Sequence, residues 1–328
     1  MAAVADAGRI RPRPEVERQS EVPGPLARPL EFRKRGGSLV QRRGVVAVSG
    51  LRSGSAQVAF DYMPAQAARD TFVLGHGLGS DRRSWDEVAK RLRAAGFGVL
   101  RLDWLGHGET ADRTDPTGGV AWEDQVKAAE AVIDHHRLAS VRLVGHSYGG
   151  GMMLALAASP SMRGRVSGVA SLAGLVRPLD VANVERMTQP AYNPFAPWWT
   201  AFTVATQRMF TLPILRWQLG QLVSQENPGL SPALLERRVQ GAADAVKSLD
   251  GFDARQLVRD ISPEVPLQLM VAGRDELVPA WTAHELAQAA RRSGHAVEVA
   301  TTAAGHHLPK QAPQAVVDFL LRPLPTTS

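Results

Sequence analysis

The chain of 328 residues contains no cysteine, which excludes disulfides, thiolate metal ligands and a cysteine nucleophile. It also lacks any apolar run approaching the roughly 20 residues needed to cross a bilayer, so no membrane-spanning segment is expected. Met1 to Leu30 has no apolar stretch of signal-peptide type, and on that ground a cytoplasmic protein is expected. No His-Glu-x-x-His or comparable ligand spacing occurs, so neither a metal nor a cofactor is expected. Aromatic residues make up only 6% of the chain, which gives weight to any segment where they gather.

What is present fits a soluble enzyme. With 44% hydrophobic and 21% charged residues, the chain can bury a full core, either as one large α/β domain with an insertion or as two domains. The net charge of +6 could suggest a nucleic-acid partner, but Met1 to Val45 alone holds ten Lys or Arg against five Asp or Glu. That tail carries nearly all of the excess, and its Arg11-Pro12-Arg13-Pro14 and Pro23-Gly24-Pro25 runs favour an extended or poorly ordered path. Residues 1–43 are therefore expected to be a basic extension, and the expected partner is a small molecule.

Further along, apolar strand patterns alternate with helical ones. Strands are expected at Gly44–Ser49, Gln57–Tyr62, Thr71–Leu74, Gly98–Leu102, Val141–Val144, Val166–Leu172, Leu267–Ala272 and Val297–Val299. Helical spacing fills Ser84–Ala95, the stretch around Trp122, Val126, Ala129 and Ile133, and the closing run Pro313–Leu321. Strands separated by helices of this length predict a mostly parallel, doubly wound sheet with helices on both faces. Ligand sites in such sheets lie at the carboxyl ends of the strands.

Four segments carry chemistry, and all four fall at such ends. Gly145-His146-Ser147-Tyr148-Gly149 follows Val141–Val144 and precedes an apolar helical run. Glycines on either side of the serine allow a sharp strand-to-helix turn, with the hydroxyl pushed out over the sheet. The next N–H, that of Tyr148, then lies at a helix N-terminus, where it can face a developing oxyanion. Gly75-His76-Gly77-Leu78-Gly79-Ser80 is a glycine-rich loop able to turn a backbone N–H, that of Leu78, toward the same oxygen. Its glycines are not followed by a dinucleotide-binding arrangement. Gly273-Arg274-Asp275 and Gly305-His306-His307 supply a carboxylate and an imidazole. A serine hydroxyl needs a base, and that base needs a carboxylate to fix its tautomer.

With the order Ser, Asp, His and the further run Asp103-Trp104-Leu105-Gly106-His107-Gly108-Glu109-Thr110, the chain from about Gly44 to Leu321 resembles the α/β-hydrolase family. The resemblance implies that Ser147 is the nucleophile, His306 the base and Asp275 its partner, with the Leu78 and Tyr148 amides as oxyanion donors. The family's register, in which the base follows a glycine, selects His306 over His307. His76, His107 and Asp103 are expected to be structural, His146 to shape the turn, and His135 and His136 to be surface imidazoles at a helix end. The serine argues against dehalogenase or epoxide hydrolase chemistry, which in this family uses a carboxylate at that position.

The strand rhythm breaks between Arg177 and Ser262, where the resemblance implies a helical cap after the sixth strand. Residues 177–262 are thus expected as the cap, and 44–176 with 263–321 as the core. Three of the seven tryptophans fall within twenty residues of this stretch, and Trp198, Trp199 and Phe202 are expected to line an apolar substrate pocket. The expected reaction is hydrolysis of an ester, thioester or lactone. Acyl transfer or cyclisation, carbon–carbon bond hydrolysis, cofactor-free haloperoxidation and a non-catalytic receptor stand as alternatives.

Overall fold

The computed structural model describes residues 30–31, 41–66, 69–114, 121–178 and 211–326. Its frame comes from short apolar runs that are buried along their whole length: β4 (Thr71–Gly75), β5 (Gly98–Leu102), β6 (Val141–His146) and β8 (Leu267–Ala272). Runs of this kind suit parallel strands covered on both faces. With β1 (Leu30–Glu31), β2 (Arg42–Leu51), β3 (Gly54–Met63), β7 (Val166–Leu172) and β9 (Val297–Thr302) they form one nine-stranded sheet in the order β1-β2-β3-β5-β4-β6-β7-β8-β9. The strands from β5 to β9 in that order pair in parallel, and β1 to β3 are antiparallel. The mostly parallel α/β sheet read from the sequence is the fold observed.

Helices cover both faces. On one, α1 (Asp86–Ala94) and the C-terminal α9 (Pro313–Leu320) pack Val88, Leu92, Val316 and Phe319 against Phe72, Val99 and Val144. The acidic pair Asp86 and Glu87 in the first turn of α1, and Arg91 and Arg93 in its last, match the helix dipole. The other face is covered by α3 (Trp122–His135), α4 (Tyr148–Ala158) and α8 (Ala280–Arg292), which bring Val126, Ile133, Leu154 and Leu286 onto Leu100, Leu143 and Leu269. None of the helices among the described residues is long and apolar enough to cross a membrane.

Several boundaries differ from the sequence reading. β2 starts at Arg42 rather than Gly44, because Arg42 and Arg43 extend the pairing with Tyr62 and Asp61. Asp61 is buried in an ion pair with Arg43, an arrangement that an apolar pattern does not reveal. The helix expected from Ser84 opens as a 3₁₀ turn, Arg82–Trp85, capped by the Asp81 carboxylate. A short helix, α2 (Gly108–Arg113), was not expected from the sequence. Leu30 and Glu31 pair with β2, so the strand counted sixth in the sequence is β7. Residues 1–29 and 32–40, the bulk of the basic extension, lie outside the described residues.

Between β7 and β8 the chain makes α5 (Thr211–Glu226), α6 (Pro232–Lys247) and the single turn α7 (Ala254–Leu257). Asn227-Pro228-Gly229 stops α5, since proline cannot continue a helix. Ser231 caps α6 through the Leu234 amide, with Pro232 in its first turn. The two long helices share a small core of Leu219, Val223, Val239, Ala242 and Ala243, against which Leu78 also packs.

This pair sits on the carboxyl end of the sheet through a backbone contact. Gly241 of α6 lies so close to Gly106 that a Cβ at position 241 would collide with the Gly106 carbonyl oxygen. Beside it, Arg238 pairs with Asp112 of α2 at 2.7 Å and donates to the Asn227 side-chain oxygen at 2.9 Å. Overpacking of this kind costs about 1–3 kcal/mol. Gly241→Ala is therefore expected to lower Tm by several degrees in a thermal melt, and an unchanged Tm would show that α6 can shift without cost.

Candidate active site

Register across the sheet sets the position of the site. Gly75 stands opposite Leu102 on one side and Gly145 on the other, so the loops after β4, β5 and β6 leave the sheet at one level. Ser147 begins the turn into α4 with φ 53° and ψ −121°, a conformation that L-residues adopt only under constraint. The constraint is visible in the backbone. The Ser147 amide donates to Leu172 O at 3.0 Å, and the Ser147 carbonyl accepts from Gly150 at 2.9 Å and Leu175 at 2.9 Å. Close packing completes it, because a Cβ at Gly145 would strike the Gly149 carbonyl and one at Gly149 would strike those of Gly75 and His76.

Over this turn the structure brings together Ser147, His306 and Asp275. His306, on the loop after β9, places Nε2 2.9 Å from Ser147 Oγ. Its Nδ1–H donates to Asp275 Oδ2 at 2.8 Å, with Oδ1 at 3.0 Å. Asp275 follows β8, and its Oδ1 also accepts from the amides of Leu277 at 2.8 Å and Val278 at 2.9 Å. Burial alone would raise the Asp275 pKa, but the hydrogen bond and charge of His306 and the two amides outweigh it and hold the carboxyl below its usual range. Leu78 and Tyr148 line the same cavity as Ser147. The Tyr148 amide is the first of α4 and has no acceptor within the helix.

Buried histidines beside the site act as braces. His146 is buried, and its Nε2–H donates to the carbonyl oxygen of His306 at 2.7 Å, tying the β6 turn to the His306 loop. Burial, reinforced by the neighbouring His306, brings its pKa down to about 3, so it holds this bond as a neutral ring. His76 donates from Nδ1 to Gly77 O at 2.8 Å and accepts the Trp104 amide on Nε2 at 3.1 Å. Burial lowers its pKa, and that of His107 falls to about 3 for the same reason. Asp103 is fully buried and accepts from the amides of Arg82 at 2.7 Å and Glu109 at 2.8 Å, which anchors the turn after β5. His136 departs from the surface position expected. Half-buried against Phe60 and Tyr62, it is brought down to about 4, chiefly by burial.

A cavity of about 240 Å³ opens over Ser147. Leu175, Leu222, Val246, Leu249, Leu277 and Val278 form apolar walls, while Ser80, Glu226, His307 and Lys310 stand at a polar end. Sequence reasoning did not reach Glu226, whose side chain is 9% exposed and accepts from His307 Nδ1 at 3.1 Å, Lys310 Nζ at 2.7 Å and Ser80 Oγ at 2.7 Å. Burial would raise its pKa, yet those three donors together hold it well below the carboxylate range. His307 thus turns to Glu226, away from the Ser147–His306–Asp275 chain. Trp198, Trp199 and Phe202 lie outside the described residues. Among the described residues, no group of three or more His, Asp or Glu is placed to hold a metal ion.

Fold and site together define an α/β protein with a serine, an imidazole and a carboxylate in hydrogen-bonded series at the sheet's carboxyl end. The chain belongs to the alpha/beta hydrolase family, whose pattern it matches over residues 72–319. It is 25% identical over 254 residues to the dihydrolipoyllysine-residue acetyltransferase component of the acetoin cleaving system of Pseudomonas putida, covering 76% of this chain and 62% of that one. Two solved structures share its fold. They are a thermophilic esterase from Thermogutta terrifontis, with TM-score 0.60, 20% identity and 84% and 96% of the two chains covered, and the enol-lactonase from Burkholderia xenovorans LB400, with TM-score 0.56, 22% identity and 81% and 96% covered.

The depressed pKa of Asp275 gives a signed expectation for stability. Its pKa is lower in the folded than in the unfolded chain, so its stabilising contribution is fully present above the ordinary value of 3.8 and is lost as pH falls through the lower folded value. Denaturant unfolding of wild type and Asp275→Asn should therefore differ by a constant amount from neutral pH down to about pH 4, and converge only below it. Convergence near pH 6 would mean that the carboxyl is not held in this way.

Proposed function

We propose that the chain is a serine hydrolase that cleaves a carboxylic ester, thioester or lactone through an acyl-enzyme on Ser147. The observation that carries this reading is the 2.9 Å approach of His306 Nε2 to Ser147 Oγ, with the opposite ring nitrogen donating to Asp275. In this reading His306 removes the hydroxyl proton as Oγ bonds to the carbonyl carbon, and Asp275 stabilises the imidazolium that results. The amides of Leu78 and Tyr148 receive the oxyanion. Collapse of the tetrahedral species expels the leaving group, which takes the proton from His306. A water molecule, deprotonated by the same nitrogen, then attacks the acyl carbon and restores Ser147.

The apolar walls over Ser147 support an acyl or other apolar group as the part of the substrate held there. We assign residues 44–176 and 263–321 to the hydrolase core, 177–262 to a helical cap and 1–43 to an extension that adds Leu30–Glu31 and Arg42–Arg43 to the edge of the core sheet. Transfer of the acyl group to an alcohol, amine or thiol in place of water is a second reading, favoured by the name of the Pseudomonas putida relative. Adding such acceptors during turnover and analysing the products separates the two.

Ser147→Ala should lower kcat by about 10³-fold or more with Tm nearly unchanged, because only the attacking atom is lost. A fluorophosphonate should label the wild type at Ser147 and leave this variant unlabelled. Near-normal turnover by folded Ser147→Ala would sink the mechanism. A panel of 4-nitrophenyl esters of increasing acyl length, with lactones and thioesters beside it, identifies the substrate class.

The assignment of Trp198, Trp199 and Phe202 to the acyl pocket rests on the sequence. If it holds, Trp198→Ala or Trp199→Ala raises KM for long-chain esters about fivefold while leaving that for acetate within about twofold, since the lost contact is remote from the carbonyl. Equal effects on both esters would assign these residues to packing.

A further inference from the structure

We propose that Glu226 is a positioning residue that clasps the two loops of the reaction site, holding the Leu78 loop and the His306 loop in one fixed relation across Ser147. The kinetic part of this inference rests on the hydrolase reading, but the structural part does not.

Glu226 ends α5, a helix that belongs to neither loop. A carboxylate at a helix C-terminus faces the negative end of the helix dipole, and burial adds a desolvation cost. Its placement there is unfavourable unless strong partners offset both terms. The partners come from the two sides of Ser147. Ser80 Oγ, two residues beyond Leu78, donates at 2.7 Å. From the other side His307 Nδ1–H, next to His306, donates at 3.1 Å, and Lys310 Nζ at 2.7 Å. Contacts to a charged acceptor are the stronger kind of hydrogen bond, and the ammonium of Lys310 neutralises the carboxylate, so the clasp brings no net charge into the cavity.

The next residue reinforces one arm. Asn227 Nδ2 donates to Gly79 O at 2.9 Å, while its Oδ1 accepts from Arg238 at 2.9 Å. Gly79 holds φ +71°, and a Cβ there would press on Leu222 and Val223 of α5. The turn that carries the Leu78 amide is closed from within by the Ser80 amide donating to Gly77 O at 3.2 Å and gripped from outside by α5. On the other arm, the His306 carbonyl is already fixed by His146, and Glu226 adds a hold on the following residue. Without the carboxylate, the donors Ser80, His307 and Lys310 lose their shared acceptor and the two loops lose their mutual reference.

The test uses the full chain as wild type, Glu226→Ala and the isosteric Glu226→Gln, which keeps the shape and one acceptor oxygen should the alanine variant fold poorly. Amide hydrogen exchange should rise about tenfold or more at residues 77–80 and 305–310 in Glu226→Ala, less in Glu226→Gln, and stay unchanged in β4, β6 and β8. With a 4-nitrophenyl ester, kcat should fall about 10- to 100-fold with KM within about threefold, as expected when reacting groups are misplaced and not when binding is lost. Unchanged exchange at either loop overturns the clasp, as does a uniform rise across the sheet, which would mark Glu226 as general fold support. A raised KM at constant kcat also overturns it, by making Glu226 a substrate-binding group. If the wild type neither cleaves esters nor reacts with a fluorophosphonate, the hydrolase reading fails, and the exchange comparison alone decides the clasp.

Discussion

The rest of the site depends on one steric constraint, the approach of β4 and β6 to the first turn of α4. A serine held at φ 53° is strained, and the chain keeps it there because Gly145 and Gly149 let strand and helix approach to distances that exclude any side chain. Three backbone hydrogen bonds to the serine's own amide and carbonyl then leave the turn no alternative path. The hydroxyl direction, the placement of the Tyr148 amide and the height of the Leu78 loop all follow from this packing. His306 and Asp275 have only to arrive from strands already in register with it.

The helices after β7 do more than cover the opening. Their contacts with the elements at the sheet's carboxyl end are polar and specific through Arg238–Asp112 and Asn227–Gly79, and steric through Gly241 on Gly106. Leu78 joins this arrangement from below, packed against both the main core and the small core between α5 and α6. A residue assigned to oxyanion binding is therefore partly buried at the junction of two hydrophobic clusters, and the geometry of its amide is a property of both.

Much of this was legible in the sequence, for physical reasons that differ by element. The strands β4 to β8 read clearly because extensive burial makes their runs mostly apolar, interrupted only by isolated polar residues such as Arg101, Arg142 and Gln268. The positions of Ser147, Asp275 and His306 read clearly because glycine-flanked turns at strand ends leave a strong local signature. Glu226 did not, since Ser224-Gln225-Glu226-Asn227 looks like any polar helix end and its partner Ser80 is 146 residues away. The same holds for Gly241, whose meaning lies in its contact with Gly106. Arg42 and Arg43 hid the start of β2 because Arg42 contributes backbone pairing and Arg43 an ion pair with a buried aspartate, neither of which a hydrophobic pattern records. Local signals betray turns and cores, whereas long-range polar contacts leave no trace in composition.

The buried imidazoles described above have a further consequence. His76, His107 and His146 crowd the ends of β4, β5 and β6, yet burial lowers the pKa of each and favours the neutral ring. They serve as rigid dipoles with locked tautomers. These rings therefore add no competing base beneath the serine, and in the proposed reaction the proton leaving Ser147 passes to His306 and back.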